Sequence, residues 1–88
     1  MPSVNKTSLG VLYNNLGNIF RDSAQPDKAE TAYKKAIELS PKQTYAYINL
    51  AVMDYGFGKK DQAVEVLKQG VEAVPSATDI ANLLKKYQ

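Results

Sequence analysis

This 88-residue chain contains two similar copies of a 34-residue segment. Eight residues recur unchanged at this spacing, namely Tyr13, Asn15, Leu16, Asp27, Ala29, Lys34, Glu38 and Pro41 as Tyr47, Asn49, Leu50, Asp61, Ala63, Lys68, Glu72 and Pro75. Other positions keep their size and character, such as Gly17 with Ala51 and Ile19 with Met53. The sequence therefore predicts one supersecondary unit that is built twice. Repeat arrays need about three units to be secure, so this chain is close to the lower limit.

Each copy has the pattern of two helices joined by a short turn. In the first copy an apolar stripe predicts a helix from about Ser8 to Asp22, with Thr7 or Ser8 as its N-cap. Pro26 is suited to the first turn of a helix, and that helix is expected to end at Leu39, before Pro41. The second copy predicts helices over residues 42–57 and 61–74.

A fifth helix is predicted after the second copy. Ser76 and Asp79 have the spacing of a capping box. The apolar positions that follow have the spacing of one helix face, at Ile80, Leu83, Leu84 and Tyr87. Short connections between consecutive helices favour antiparallel packing of neighbours.

The first copy resembles the tetratricopeptide repeat, a motif of aromatic, small and proline positions at fixed offsets. The matching residues are Tyr13, Leu16, Gly17, Phe20, Ala29, Tyr33, Ala36 and Pro41. The resemblance implies an all-α fold of antiparallel helix hairpins, stacked as a right-handed superhelix of about five helices. It divides the single domain into an N-terminal extension over residues 1–9, a first repeat over 10–43, a second repeat over 44–77 and a C-terminal capping helix over 76–88.

In this family the first helix of each hairpin lines a concave groove that binds peptides. Carried over to this sequence, the resemblance assigns the groove to Asn14, Asn15, Asn18, Tyr45, Ile48, Asn49, Val52, Tyr55 and Leu83. Asn15 and Asn49 resemble the asparagine ladder of the repeats in O-linked N-acetylglucosamine transferases. An amide suits a peptide backbone because it offers a donor and an acceptor. The alternative is that these asparagines hydrogen-bond between neighbouring helices.

Composition restricts the other functions. The chain has no cysteine and no histidine, so we expect no catalytic triad, no metal site and no cofactor, and we do not expect an enzyme. Eleven basic and nine acidic residues give a net charge of +2, which is too small and too mixed for a nucleic-acid partner. No signal sequence and no apolar run of membrane-spanning length is present, so we expect no membrane association and a cytoplasmic location.

Two functions remain at this point. The first is a protein-interaction module that binds a peptide in the groove. The alternative is a structural or self-associating module that forms homo-oligomers through its exposed apolar side chains, or through exchange of the last helix. One residue departs from the repeat pattern, because Asp54 stands where the first copy has Phe20. A buried carboxylate without a partner would be unfavourable, and one solution is that Asp54 turns outward, toward Lys59 or Lys60, while Tyr55 or Phe57 replaces the missing ring. The sequence does not decide the role of Asp54.

Overall fold

The computed structural model describes residues 5–88 and contains five helices in this part of the chain. They are α1 (Lys6–Asp22), α2 (Pro26–Leu39), α3 (Tyr45–Gly56), α4 (Lys60–Ala73) and α5 (Thr78–Tyr87). Each helix packs mainly against its neighbours in sequence, so α1 with α2 and α3 with α4 form two hairpins, and α5 packs on α4. The all-α class and the number of helices are confirmed. The right-handed superhelix stays a prediction.

The first helix begins earlier than the sequence pattern indicated. Asn5, and not Thr7 or Ser8, is the N-cap, and its Oδ1 accepts a hydrogen bond of 2.8 Å from the backbone amide of Ser8. A side-chain oxygen at this position satisfies one of the amides that a helix start leaves without a partner. Part of the segment expected to be an N-terminal extension is therefore helical, from Lys6 onward. Residues 1–4 of that extension lie outside the described residues.

Two other helix starts differ from the prediction, whereas α2 and α4 begin and end within one residue of it. The helix expected from Lys42 begins at Tyr45, because the chain first makes a turn in which the amide of Gln43 donates to the carbonyl oxygen of Ser40. The capping box expected at Ser76 does not form. Ala77 is the N-cap of α5, and the side chain of Asp79 accepts from the next backbone amide instead.

The turns inside the two hairpins have the same geometry. Ala24 and Gly58, which are 34 residues apart, both have a positive φ, of 59° and 78°. In each turn the next residue donates its backbone amide to the carbonyl oxygen five residues before it, at 2.8 Å. The internal duplication therefore extends to the backbone conformation of single residues.

The core lies between the hairpins and under α5. Its buried side chains are Ala29, Tyr33, Ala36, Ile37, Ala46, Tyr47, Leu50, Ala51, Met53, Ala63, Leu67, Ile80 and Tyr87. The buried residues of α1 are glycines, Gly10 and Gly17. A Cβ atom at Gly17 would lie 2.5 Å from the ring of Tyr33, so the close contact of α1 with α2 requires a glycine there. The opposite side of α1 is left exposed.

Asp54 does not turn outward, the solution that the sequence left open. It is only 3% exposed, because its side chain lies on the face of α3 that is packed against α2. Burial raises the pKa of the Asp54 carboxyl, and the nearby charge of Glu30 raises it further, whereas Lys59 and Lys34 act in the opposite direction. The residue that replaces an aromatic ring of the repeat pattern is thus a buried carboxyl group.

Candidate functional site

A pair of asparagine side chains joins α1 to α3. The Nδ2 of Asn49 donates a hydrogen bond of 3.0 Å to the Oδ1 of Asn14. Both residues are partly exposed. Within residues 5–88 the Nδ2 of Asn14 and the Oδ1 of Asn49 make no further hydrogen bond. The amide pair therefore stabilises the contact between the helices and still offers one donor and one acceptor to a ligand.

The other two asparagines of the predicted groove differ from each other. The Oδ1 of Asn18 accepts a hydrogen bond of 2.6 Å from the hydroxyl of Tyr33, whose ring is fully buried. Burial also raises the pKa of the Tyr33 hydroxyl, which stays a donor at neutral pH. Asn15 is exposed. Hydrogen bonding between neighbouring helices, the alternative role, therefore describes Asn18 and also the contact of Asn14 with Asn49.

An apolar stripe runs along the exposed side of α3 beside the amide pair. Tyr45 is 61% exposed and Val52 is 45% exposed. Ile48 lies between them and is partly exposed, with part of its side chain packed against the core. The three residues are spaced at i, i+3 and i+7, which places them on one face of the helix. We call Tyr45, Ile48 and Val52 the α3 stripe.

The last helix covers the end of this surface. The ring of Tyr55 stacks on the ring of Tyr87, with centroids 4.0 Å apart and an interplanar angle of 8°. Tyr87 is buried, and burial raises the pKa of its hydroxyl. Leu83 is partly exposed and packs against the core. Two of the predicted groove residues therefore already make contacts within the chain. Tyr55 contacts α5 and Leu83 contacts the core, so only part of each side chain is available to a ligand.

Sequence reasoning missed Tyr87 as a partner of Tyr55. Its position on the apolar face of α5, seven residues after Ile80, indicated burial but not the aromatic ring that it would contact. It also missed a groove between α1 and α2 with a volume of about 750 Å³. Three of the residues that line it, Tyr13, Leu16 and Phe20, belong to the repeat pattern, which predicted packing between helices at these positions and not an open groove.

Two further findings on the described residues concern metal ligands and membrane-spanning helices. Between residues 5 and 88 no group of three or more acidic residues is arranged to hold a metal ion. None of the five helices is both long and apolar enough to cross a membrane.

Comparison with known protein families identifies the architecture. The tetratricopeptide repeat matches residues 20–87, from the end of α1 through α5. The chain belongs to the tetratricopeptide repeat family. A comparison with curated protein sequences finds no match. Tetratricopeptide repeats are non-catalytic modules that mediate protein–protein interactions, so an interaction function follows from the family and its details have to be argued from this chain's surface.

Proposed function

We propose that this tetratricopeptide protein binds an extended peptide segment of a partner protein across α1 and α3. The observation that supports it best is the exposed α3 stripe beside the amide pair of Asn14 and Asn49. A contiguous patch of exposed apolar side chains often marks a binding surface, whereas single exposed apolar residues are common on any protein. The resemblance of Asn15 and Asn49 to the ladder of the glycosyltransferase repeats supports the same function.

The two kinds of side chain have different tasks in this proposal. The Nδ2 of Asn14 and the Oδ1 of Asn49 match the carbonyl and amide groups of a peptide backbone, which an extended segment exposes and a helical segment does not. Tyr45 and Val52 contact apolar side chains of the ligand. The ring of Tyr45 offers a large contact area and a polar hydroxyl with little conformational entropy to lose.

The dimensions of the surface limit the length of the ligand. The first helices of the hairpins are α1 and α3, and α5 continues their row. Three packed helices span roughly 25–30 Å, which about eight residues of an extended chain can cross. A ligand of this size, held by a few apolar contacts and hydrogen bonds, is expected to bind with a dissociation constant in the micromolar range, about −8 kcal/mol.

The exposed apolar residues also favour a second candidate, in which the α3 stripes of two chains cover each other. The observation behind it is the 61% exposure of Tyr45, a large ring with no covering element among the described residues. In that case Tyr45→Lys should convert a dimer to a monomer in light scattering, because the charge would be desolvated at the contact. A dimer that persists in this variant would exclude pairing through the stripe.

The test of peptide binding is a selection of peptides from a displayed random library on the wild-type protein. Binding of the selected peptides is then measured to the wild type and to the variant Val52→Lys. Val52 is exposed, so a lysine there can extend into water and leave the fold intact. We expect the selected peptides to bind Val52→Lys at least about tenfold more weakly than the wild type. The control is Ile19→Lys, a change at another exposed apolar residue, on α1, that lies outside the proposed groove and should bind normally. A selection that enriches the same peptides on Val52→Lys contradicts the proposal.

A further inference from the structure

The two copies of the repeat differ in how far one face of their first helix is covered. In the second copy Ala46, Leu50 and Met53 are 5% exposed or less, because α2 packs against this side of α3. The residues 34 positions earlier have no helix over them among the described residues. Leu12 is 59% exposed, Leu16 is 38% exposed and Ile19 is 60% exposed. The chain thus contains one face twice, once covered by a helix and once open.

The open face has a ridge and a groove next to each other. Leu12, Leu16 and Ile19 are spaced at i, i+4 and i+7 and form a ridge along α1. Beside Leu12 and Ile19 lies the groove of about 750 Å³ between α1 and α2, which Leu16 also lines, and whose walls are mainly carbon atoms of residues such as Tyr13, Phe20 and Ala32. We call the ridge and the groove together the end face. A surface with both features is able to pack against a second copy of itself, the ridge of each in the groove of the other.

The opposite end of the molecule does not match the end face. The outer side of α5 presents exposed polar residues, namely Thr78, Asn82, Lys85 and Gln88. Stacking two chains head to tail would bury these polar side chains against the apolar ridge, which is unfavourable. Pairing of two end faces buries apolar surface against apolar surface. A two-fold contact of this kind also closes, so it stops at a dimer and does not form a filament.

The charges around the groove are compatible with self-pairing. Two acidic and three basic residues line it, namely Asp27, Glu38, Lys28, Lys34 and Lys35. Glu38 and Lys35 are 3.9 Å apart, and the Nζ of Lys28 lies 5.8 Å from the ring centroid of Phe20. A rim with both signs can place opposite charges against each other across a two-fold axis, whereas a rim of one sign would repel its copy.

The size of the end face sets the strength of such a contact. α1 has 17 residues, and so is about 25 Å long, and two packed helices are about 20 Å wide. This corresponds to about 500 Å² on each chain and about 1,000 Å² in total, at the lower bound of specific interfaces. A dimer of this size is weak and depends on concentration.

We propose that two copies of this chain dimerise through their end faces, with Leu12, Leu16 and Ile19 of each copy against the α1–α2 groove of the other. This contact is separate from the proposed peptide groove, which lies on the side of α1 and α3 that carries the amide pair. Dimerisation would therefore leave peptide binding open and give the dimer two peptide sites.

The experiment is sedimentation velocity on the wild type and two matched variants, Ile19→Lys and Val52→Lys, from about 10 µM to about 1 mM. Wild type and Val52→Lys should form dimers in the upper part of this range, and Ile19→Lys should weaken dimerisation at least about tenfold. Both substituted residues are exposed, and circular dichroism checks that the variants keep their helices. Leu12→Glu serves as a second variant on the same face and should have the same effect.

Three results would overturn the proposal. One is a wild type that stays monomeric up to about 1 mM, which would indicate that the end face binds a helix of another protein and not a second copy of this chain. Another is a dimer that Ile19→Lys and Leu12→Glu both leave intact. The third is a dimer that only Val52→Lys disrupts, since it would assign the contact to the α3 stripe. Because peptide binding is measured with the same two lysine variants, failure of either proposal is visible independently of the other.

Discussion

Ala24 is a single residue whose conformation follows from its place in the repeat and not from its own preference. It has a φ of 59°, in the region that glycine adopts readily and alanine does not, and its counterpart in the second copy is Gly58. The hydrogen bonds of the turn fix this conformation in both copies. The first turn is thus strained where the second is not.

We predict that Ala24→Gly stabilises the protein by about 0.5–1 kcal/mol, because relief of the strain exceeds the added entropy of the unfolded chain. The reciprocal change Gly58→Ala should destabilise it by about 1 kcal/mol, although a Cβ there meets no atom within 4 Å. Urea denaturation of both variants measures the two effects. Equal free energies of unfolding for the wild type and both variants would mean that a positive φ at this turn position does not strain alanine.

Asp54 is the residue with the clearest expected pH dependence. Burial raises the pKa of its carboxyl in the native state, so the unfolded chain releases this proton at a lower pH than the folded chain does. The free energy of unfolding therefore falls as the pH rises above about 4, the ordinary pKa of aspartate, and it stops falling once the pH exceeds the raised pKa of the native state. Glu30 and Lys34 of α2 and Lys59 of the turn before α4 are the charges that act on it.

Asp54→Asn removes this charge with little change in shape. We predict a higher Tm at pH 7, by roughly a few degrees, and a gain that shrinks to nothing as the pH falls below about 4. Thermal unfolding at several pH values measures it. The exposed carboxylate Asp22, which pairs with Arg21 at 3.1 Å, is the control, and Asp22→Asn should change the Tm little at pH 7, because exposed ion pairs contribute little stability. A stability gain of Asp54→Asn that is the same at pH 3 and pH 7 would contradict the electrostatic origin.

At the scale of elements, α5 is the helix that closes the core. Ile80 is fully buried, and its Cδ1 would lie 3.1 Å from a Cβ atom at Gly70 of α4. Tyr87 adds the stack on Tyr55, so α5 is held at both ends against the second hairpin. Its outer side is polar, as expected for a helix that ends a repeat array.

Ile80→Ala should therefore cost about 2–5 kcal/mol, a large part of the roughly 4–13 kcal/mol expected for a domain of this size. We predict a Tm lower by at least about 10 °C in calorimetry. Lys85→Ala, an exposed change on the same helix, is the control for helix propensity and should be nearly neutral. A small effect of Ile80→Ala would mean that α5 is not part of the cooperative core.

The helices themselves were largely predictable, and the exceptions have local causes. Pro26 and the proline after α2 predict that helix closely, since proline restricts where a helix can start and stop. The N-cap of α1 at Asn5 was missed because Asn, Thr and Ser are all good N-caps, and only the geometry shows which one accepts the amide. The buried position of Asp54 was missed because an isolated carboxylate favours solvent, whereas its place on α3 puts it under α2.

At the scale of the whole molecule, the 34-residue period determines the fold but not the contacts that complete the surface. The alignment of the copies related Asn15 to Asn49, yet the hydrogen bond joins Asn49 to Asn14, because the second hairpin is offset against the first. The stack of Tyr55 on Tyr87 likewise depends on how α5 packs against the second hairpin. The ridge of Leu12 and Ile19 is open because no helix among residues 5–88 packs against that side of α1. Such contacts are set by packing in three dimensions, which the period alone does not specify.

The proposed function of this protein depends on the binding of a partner's peptide across α1 and α3. The most direct measurement is a titration of a library-selected peptide into isotope-labelled protein, followed by nuclear magnetic resonance. We predict that the shifted signals include the side-chain amides of Asn14 and Asn49 and the residues of the α3 stripe, and that the shifts are much smaller in Val52→Lys at the same peptide concentration. Shifts that concentrate on the α1–α2 groove and persist in Val52→Lys would contradict it.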